Sequence, residues 1–161
     1  MAKRKTNKPK KHIFKLDELP EEFDFFLIGI QTKQALYRLV FDFNKQFNSG
    51  FQLAENLQVF RKNKTVFFEN YVSEENAIGQ KMRLMNNEIL VPIAHPNTLF
   101  DTHEAYYLFP ELSTLNYLLM IPQNGELNFV TINRNFKTNY PVNWIEVNMK
   151  KCHTAFPVFP V

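Results

Sequence analysis

Residue types able to do chemistry occur at several places in this chain, and their spacing limits what each can do. Asp101-Thr102-His103-Glu104, with His95 shortly before it, offers ligands that suit zinc or iron. There is no His-Glu-x-x-His, and on a strand Asp101 and His103 face away from Thr102 and Glu104. The expectation is a solvated loop without a metal. Cys152-His153 joins a nucleophile to a base. Adjacent side chains diverge on a helix or a strand, and no third group orients the imidazole, so no catalytic dyad is expected. Glu111, directly after Pro110, is a lone carboxylate. A general base must lie within hydrogen-bond reach of a bound substrate, and Glu111 has no evident companion. Arg38 and Arg134 are isolated anion-binding candidates. Gly29, Gly50, Gly79 and Gly125 are too few and too scattered for a phosphate-cradling loop or a dinucleotide fingerprint. No catalytic residue is assigned, no cofactor is expected, and the balance lies against an enzyme.

The strongest functional signal is charge. Lys3, Arg4, Lys5, Lys8, Lys10 and Lys11 place six positive charges in residues 1–12 with no acid among them. The remaining residues hold 13 basic and 16 acidic side chains, so the overall +3 divides into a +6 leader and a −3 body. Asp17, Glu18, Glu21, Glu22 and Asp24 follow as an acidic block. A cationic arm binds a polyanion by counterion release without needing a folded surface. The competing reading is a solubilising tail, or one that folds back on the acidic block, an attraction screened beyond about 8–10 Å at cellular salt.

These groups must be positioned by the rest of the chain. A length of 161 residues suits one domain with a real core, and 17 Phe against 4 Gly make that core bulky and aromatic. Residues 1–11 read as a disordered basic tail and residues 12–161 as a single domain. Residues 23–30 form an apolar run typical of a strand buried on both faces. Thr32 is a plausible N-cap. Leu36, Leu39, Val40, Phe43 and Phe47 then fall on one helical face, and Asn48-Ser49-Gly50 ends the helix. Residues 51–60, 65–72, 81–85, 104–109 and 115–121 read as strands. Residues 88–102, with Pro92 and Pro96, read as an irregular insertion. A second helix is expected at 125–138, then a strand at 142–147 around Trp144. The expected class is α+β: a mainly antiparallel sheet with two helices packed on one face.

Phe109-Pro110-Glu111 followed by Leu115-Asn116-Tyr117 resembles the signature of the IPExxxVDY family, a bacterial family of unassigned function. Phe25-Phe26-Leu27-Ile28-Gly29-Ile30 is similar to that family's first strand. Tyr37-Arg38-Leu39 with Asn44-Lys45 is similar to its helix motif. The resemblance covers about residues 12–121 and implies a cytoplasmic protein without an assigned activity. Phe109 and Leu115 are ordinary apolar exchanges for isoleucine and valine. Asn116 in place of aspartate removes a charge, which weakens any role for a carboxylate pair with Glu111. Physically the segment reads as architecture: Pro110 ends a strand, Glu111 and Asn116 accept local backbone donors, and Tyr117 sets its ring in the core.

The resulting expectation is a non-enzymatic binding or interaction protein that contacts RNA or a ribonucleoprotein through Lys3, Arg4, Lys5, Lys8, Lys10 and Lys11. The alternative is a small-ligand-binding regulatory domain with a site near Pro110-Glu111, in a polar pocket that holds Glu111 or Arg38. Phe156, Val158 and Phe159 form an apolar C-terminal strip suited to a protein partner or a homodimer. Cys152 is the only cysteine, so no internal disulfide forms. No signal segment or membrane span is visible, and the expected location is the cytoplasm.

Overall fold

In the computed structural model, which describes residues 25–74, 81–93, 102–122, 143–149 and 152, the first apolar run is strand β1 (Phe25–Gln31). Helix α1 (Leu36–Phe47) follows. Then come β2 (Gln52–Leu53), β3 (Leu57–Arg61), β4 (Lys64–Phe68), β5 (Asn70–Val72), β6 (Arg83–Asn86), β7 (Glu88–Ile93) and β8 (Thr102–Tyr107). A 3-10 turn (Pro110–Leu112) leads into β9 (Tyr117–Pro122), and β10 (Asn143–Glu146) is the last among the described residues. Six strands form one antiparallel sheet in the order β10-β1-β9-β6-β5-β2. The pairs β3-β4 and β7-β8 are separate hairpins.

Strand β1 is apolar at almost every position because both of its faces are covered. Alternate side chains of a strand point to opposite faces. Ile28 and Ile30, with Leu84, Leu119 and Ile121, meet Leu36, Leu39, Val40 and Phe43 of α1 in one core. Leu27, Met85 and Leu118 enter a second core with Leu57, Val66 and Phe68 of the first hairpin and Tyr106, Leu108 and Phe109 around the second. Phe68 and Phe109 are fully buried there, each adding on the order of 2–3 kcal/mol of transfer free energy.

The expected class is therefore corrected. Among the described residues the molecule is mostly antiparallel sheet with one helix of seven or more residues, not a sheet with two helices on one face. Helix α1 covers one face, and hairpins, not a second helix, cover the other. The helix expected at 125–138 lies outside the described residues. The insertion read at 88–102 is also corrected at its start, where β7 pairs with β8 from Glu88↔Tyr107 to Ile93↔Thr102. Pro92 is exposed opposite His103, and a two-stranded ribbon tolerates a residue that cannot donate to a second neighbour.

Local signals had mixed outcomes. Leu36, Leu39, Val40 and Phe43 are buried as the period requires. The N-cap position is the extended Ala35, not Thr32. Thr32 instead accepts the Gln34 N–H at its Oγ1, 3.1 Å away. At the other end Asn48 takes the left-handed conformation, φ 49°. The Asn44 side chain bridges the exit, donating to Phe51 O (2.9 Å) and accepting from Phe51 N (2.6 Å) and Ser49 Oγ (3.0 Å). The Asn44 of the helix motif is thus a fastener for the turn after α1.

Candidate functional site

The segment 108–116 is an excursion from one antiparallel ladder. Asn86 pairs with Tyr117 between β6 and β9, and Glu88 pairs with Tyr107 between β7 and β8. Asn87 alone stands between them. Its N–H donates to Asn116 O (2.8 Å), and its carbonyl accepts from Leu108 N (2.7 Å). One residue on one side therefore faces residues 108–116 on the other, an extreme bulge.

Asn87 is fully buried and fastens that bulge from inside. Its Nδ2 donates to Leu112 O (2.8 Å) and Leu115 O (3.0 Å), and its Oδ1 accepts from Phe109 N (2.9 Å). Phe109 is extended, as the residue before a proline must be, and the turn closes through Leu112 N to Phe109 O (2.9 Å). Leu115 then packs so closely over Gly29 that a Cβ there would stand 2.1 Å from the Leu115 Cδ1. A side chain at Gly29 would force the buried Leu115 to move.

The last two signature residues tie the loop after β1. Asn116 N donates to Ile30 O (3.0 Å), and its Oδ1 accepts from Thr32 N (3.0 Å). Its Nδ2 reaches Glu88 Oε2 at 3.4 Å. The Tyr117 hydroxyl donates to Gln34 O (2.8 Å). Burial, followed by the charges of Glu69 and Glu88, raises the Tyr117 hydroxyl pKa above its ordinary value.

An open groove of about 410 Å³ lies beside this junction, with Leu36, Tyr37, Glu69, Glu88, Asn116 and Tyr117 among its walls. It contains neither Glu111 nor Arg38. Its carboxylates already engage tyrosines: Tyr71 OH donates to Glu69 Oε1 (3.0 Å), and Tyr107 OH to Glu88 Oε1 (3.1 Å). The Tyr71 hydroxyl is pushed up by burial and then by Glu69, and the Tyr107 hydroxyl by its bond to Glu88.

The other sequence candidates disperse. Glu111 is exposed on the 3-10 turn. Its charge adds to burial in raising the Cys152 thiol pKa, which lowers the thiolate fraction. Arg38 is exposed on α1. His103 is exposed on β8. Glu104 accepts from Lys62 Nζ (2.6 Å) and Tyr106 OH (2.5 Å), and Lys62 first, then Tyr106, hold its carboxyl below the usual range. Among the described residues no group of three His, Cys, Asp or Glu could hold a metal, and no helix is long and apolar enough to cross a membrane. Lys3, Arg4, Lys5, Lys8, Lys10, Lys11, His95, Asp101, Arg134, His153, Phe156, Val158 and Phe159 lie outside the described residues.

Sequence reasoning did not find Asn87 as a hub. An asparagine after a strand is ordinary turn chemistry, and its partners lie 22 to 28 residues away. Comparison with protein-family models, curated proteins and solved structures finds no match.

Proposed function

We propose that this protein works by binding rather than catalysis, and that its lysine-rich leader contacts RNA or a ribonucleoprotein. The observation that carries the reading is the division of charge: six cations in residues 1–12 against a body of net −3. Such a leader supplies phosphate contacts that position without reading sequence. The signature segment supports a non-catalytic body, because the Asn87 side chain, the Asn116 Oδ1 and the Tyr117 hydroxyl bond the fold's own backbone. The resemblance to the IPExxxVDY pattern fits the same reading, since its matched blocks meet here as joint, strand and helix. Cys152 as sole cysteine suits a reducing compartment, so the proposal places the protein in the cytoplasm.

The test is a salt titration of RNA binding by the full chain and by a variant lacking residues 2–11. Engagement of five or six phosphates gives a slope of log affinity on log salt of roughly −4 on single strands. A slope near zero, or no effect of the deletion, refutes the leader reading. A second reading, a small cationic ligand, is favoured by the groove that holds Glu69, Glu88, Tyr37 and Tyr117. A thermal-shift screen of amines against wild type and Glu88→Gln tests it, and shifts identical in both proteins remove it.

A further inference from the structure

The first hairpin carries a surface that neither core uses. Leu57, Val66 and Phe68 face inward. Gln58, Phe60, Thr65 and Phe67 face outward, and Phe60 and Phe67 are 66% and 50% exposed. The register pairs Phe60 with Thr65 and Gln58 with Phe67. The two rings are therefore diagonal neighbours, roughly 7–8 Å apart at their bases, and Gln58 and Thr65 hold the other diagonal. Such a face is its own complement. When a second copy lies on it with the two Val59↔Val66 pairs one over the other, each ring seats over Gln58 or Thr65 of the other copy. Four rings then fill one checkerboard.

Two two-fold arrangements give this interdigitation, one with the hairpin tips together and one with each tip over the other copy's base. Charge chooses between them. The tip reads Arg61-Lys62-Asn63-Lys64. Glu104 neutralises Lys62 at 2.6 Å. Arg61 Nη2 donates to Leu108 O (3.4 Å), an uncharged acceptor, so the tip stays net positive. Glu55 and Glu69 stand at the opposite end, just outside β3 and β4. Glu69 follows Phe67 by two residues and so shares its side of the strand. The Tyr71 hydroxyl donates to Glu69 without cancelling its charge. Residues 54–60 and 65–72 contain no Lys or Arg, so this end is net negative. Lys62 lies three residues from Val59 toward the tip, and Glu69 lies three from Val66 toward the base. A copy reversed end for end therefore brings opposite charges level with each other. Copies with their tips together would set like charges against each other at both ends.

We infer that the outer face of the β3-β4 hairpin is a two-fold interface between copies of this chain, packed tip to base. Phe60 and Phe67 form its centre, and the tip cations of each copy meet Glu55 and Glu69 of the other. Self-complementarity selects this occupant: a partner of one charge sign would meet one end of the face with the wrong sign. A face of two five-residue strands is smaller than the roughly 800 Å² per partner of a standard interface, so the dimer is weak. It joins two leaders in one assembly, which raises avidity for a polyanion without a new contact.

The experiment is sedimentation velocity at low salt, over about 5 to 500 μM protein, a span suited to weak specific association. The proteins are the full chain, the Phe60→Ala/Phe67→Ala double variant, Glu55→Lys, Lys64→Glu, an equimolar mixture of those two charge reversals, and the chain without residues 2–11. Glu55 and Lys64 are chosen because their side chains hold no ion pair among the described residues. The full chain should pass from monomer to dimer as concentration rises, and it should do so without residues 2–11. The double alanine variant should weaken association by more than roughly 10-fold, since a two-fold loses each ring twice. Each charge reversal alone should weaken it by roughly 10-fold, because two symmetric attractions become repulsions. The mixture should recover much of that loss, since each reversed charge then meets its opposite across the interface. A chain that stays monomeric overturns the inference, and so does a dimer indifferent to both alanines. A dimer that needs the rings but is no stronger in the mixture than in either reversal alone overturns the tip-to-base packing. A dimer lost with residues 2–11 belongs to the leader and overturns it as well. The readout involves no RNA, so failure here leaves the leader reading standing. Thermal melts check that these exposed substitutions leave the fold intact.

Discussion

Asn87→Ala should cost the fold more than almost any other polar substitution. Three side-chain hydrogen bonds vanish together: Nδ2 to Leu112 O, Nδ2 to Leu115 O, and Phe109 N to Oδ1. Two of them are wholly buried and the third is partly so. A buried backbone group left without a partner costs about 1–3 kcal/mol, and a partly wet one about 0.5–1.5. The sum centres on about 5 kcal/mol, a large part of the ~5–15 kcal/mol that holds a domain together. Urea unfolding followed by fluorescence reads this as a drop in midpoint at constant slope. Asn87→Asp sharpens the test. The oxygen that replaces Nδ2 would face the Leu112 and Leu115 carbonyl oxygens in a fully buried site, so the folded pKa must rise above the unfolded value near 3.9. A group raised on folding gives stability that is present below the unfolded pKa and lost as pH rises. Asn87→Asp should therefore be least impaired near pH 4 and progressively worse toward neutrality. An Asn87→Ala loss under 1 kcal/mol, or an Asn87→Asp deficit that does not vary with pH, would show that the bulge stands without its internal staple.

Three further outcomes follow from the same junction. Gly29→Ala should destabilise by about 1–3 kcal/mol through overpacking against Leu115, and Leu115→Ala in the same chain should recover part of that loss in a double-mutant cycle on urea midpoints. Tyr117→Phe should cost about 1 kcal/mol at neutral pH by freeing Gln34 O. Because the folded Tyr117 hydroxyl pKa lies above its ordinary value, wild type should lose stability as pH rises above about 10, and Tyr117→Phe should lose less in an alkaline melting series. Asn116→Asp, which restores the aspartate of the resembled pattern, should keep the bond from Thr32 N but set a second carboxylate against Glu88. Its deficit should be greatest at neutral pH, should shrink on acidification, and should disappear when Glu88→Gln is added.

What could be read from the sequence was what burial writes locally. Strand β1 was legible because a strand covered on both faces keeps no polar alternation, and Leu27 and Ile28 do enter different cores. Helix α1 was legible because Leu36, Leu39, Val40 and Phe43 must share one face. Long-range pairing was not legible. Residues 51–60 look like one strand, yet the chain leaves β2 at Ala54, whose N–H reaches Asn70 O (2.9 Å), and begins a separate hairpin at Leu57. Residues 65–72 break at Glu69 for the same reason, since β4 serves the hairpin and β5 the sheet. Pro92 hid β7 because local propensity does not know that, among the described residues, β7 pairs on one side only. Among the candidate sites, the junction was visible only as a Pro-Glu turn and an Asn-Tyr pair. Asn87, which organises both, was not visible at all.

The bulge explains why such a junction exists. Strands β6 and β9 belong to the large sheet, while β7 and β8 form a ribbon over the second core. Their pairing is the same antiparallel ladder interrupted at one residue, from Asn86↔Tyr117 to Glu88↔Tyr107. A ladder without interruption would carry β7 and β8 straight on as extensions of the sheet and withdraw Tyr106 from the second core. Extra residues on one strand bend and twist it. Residues 108–116 do so on a large scale, and they also deliver Leu108, Phe109 and Leu115 into the core beneath. The excursion strands several backbone donors and acceptors away from any ladder. A buried asparagine, with two donors and an acceptor on one short side chain, is the smallest group that can satisfy three of them at once. Pro110, Asn116 and Tyr117 then set where the excursion turns and where it rejoins β9. The signature is thus the chemistry of a fold changing layers, and its Asn116 Oδ1 and Tyr117 hydroxyl are committed to backbone before any ligand arrives.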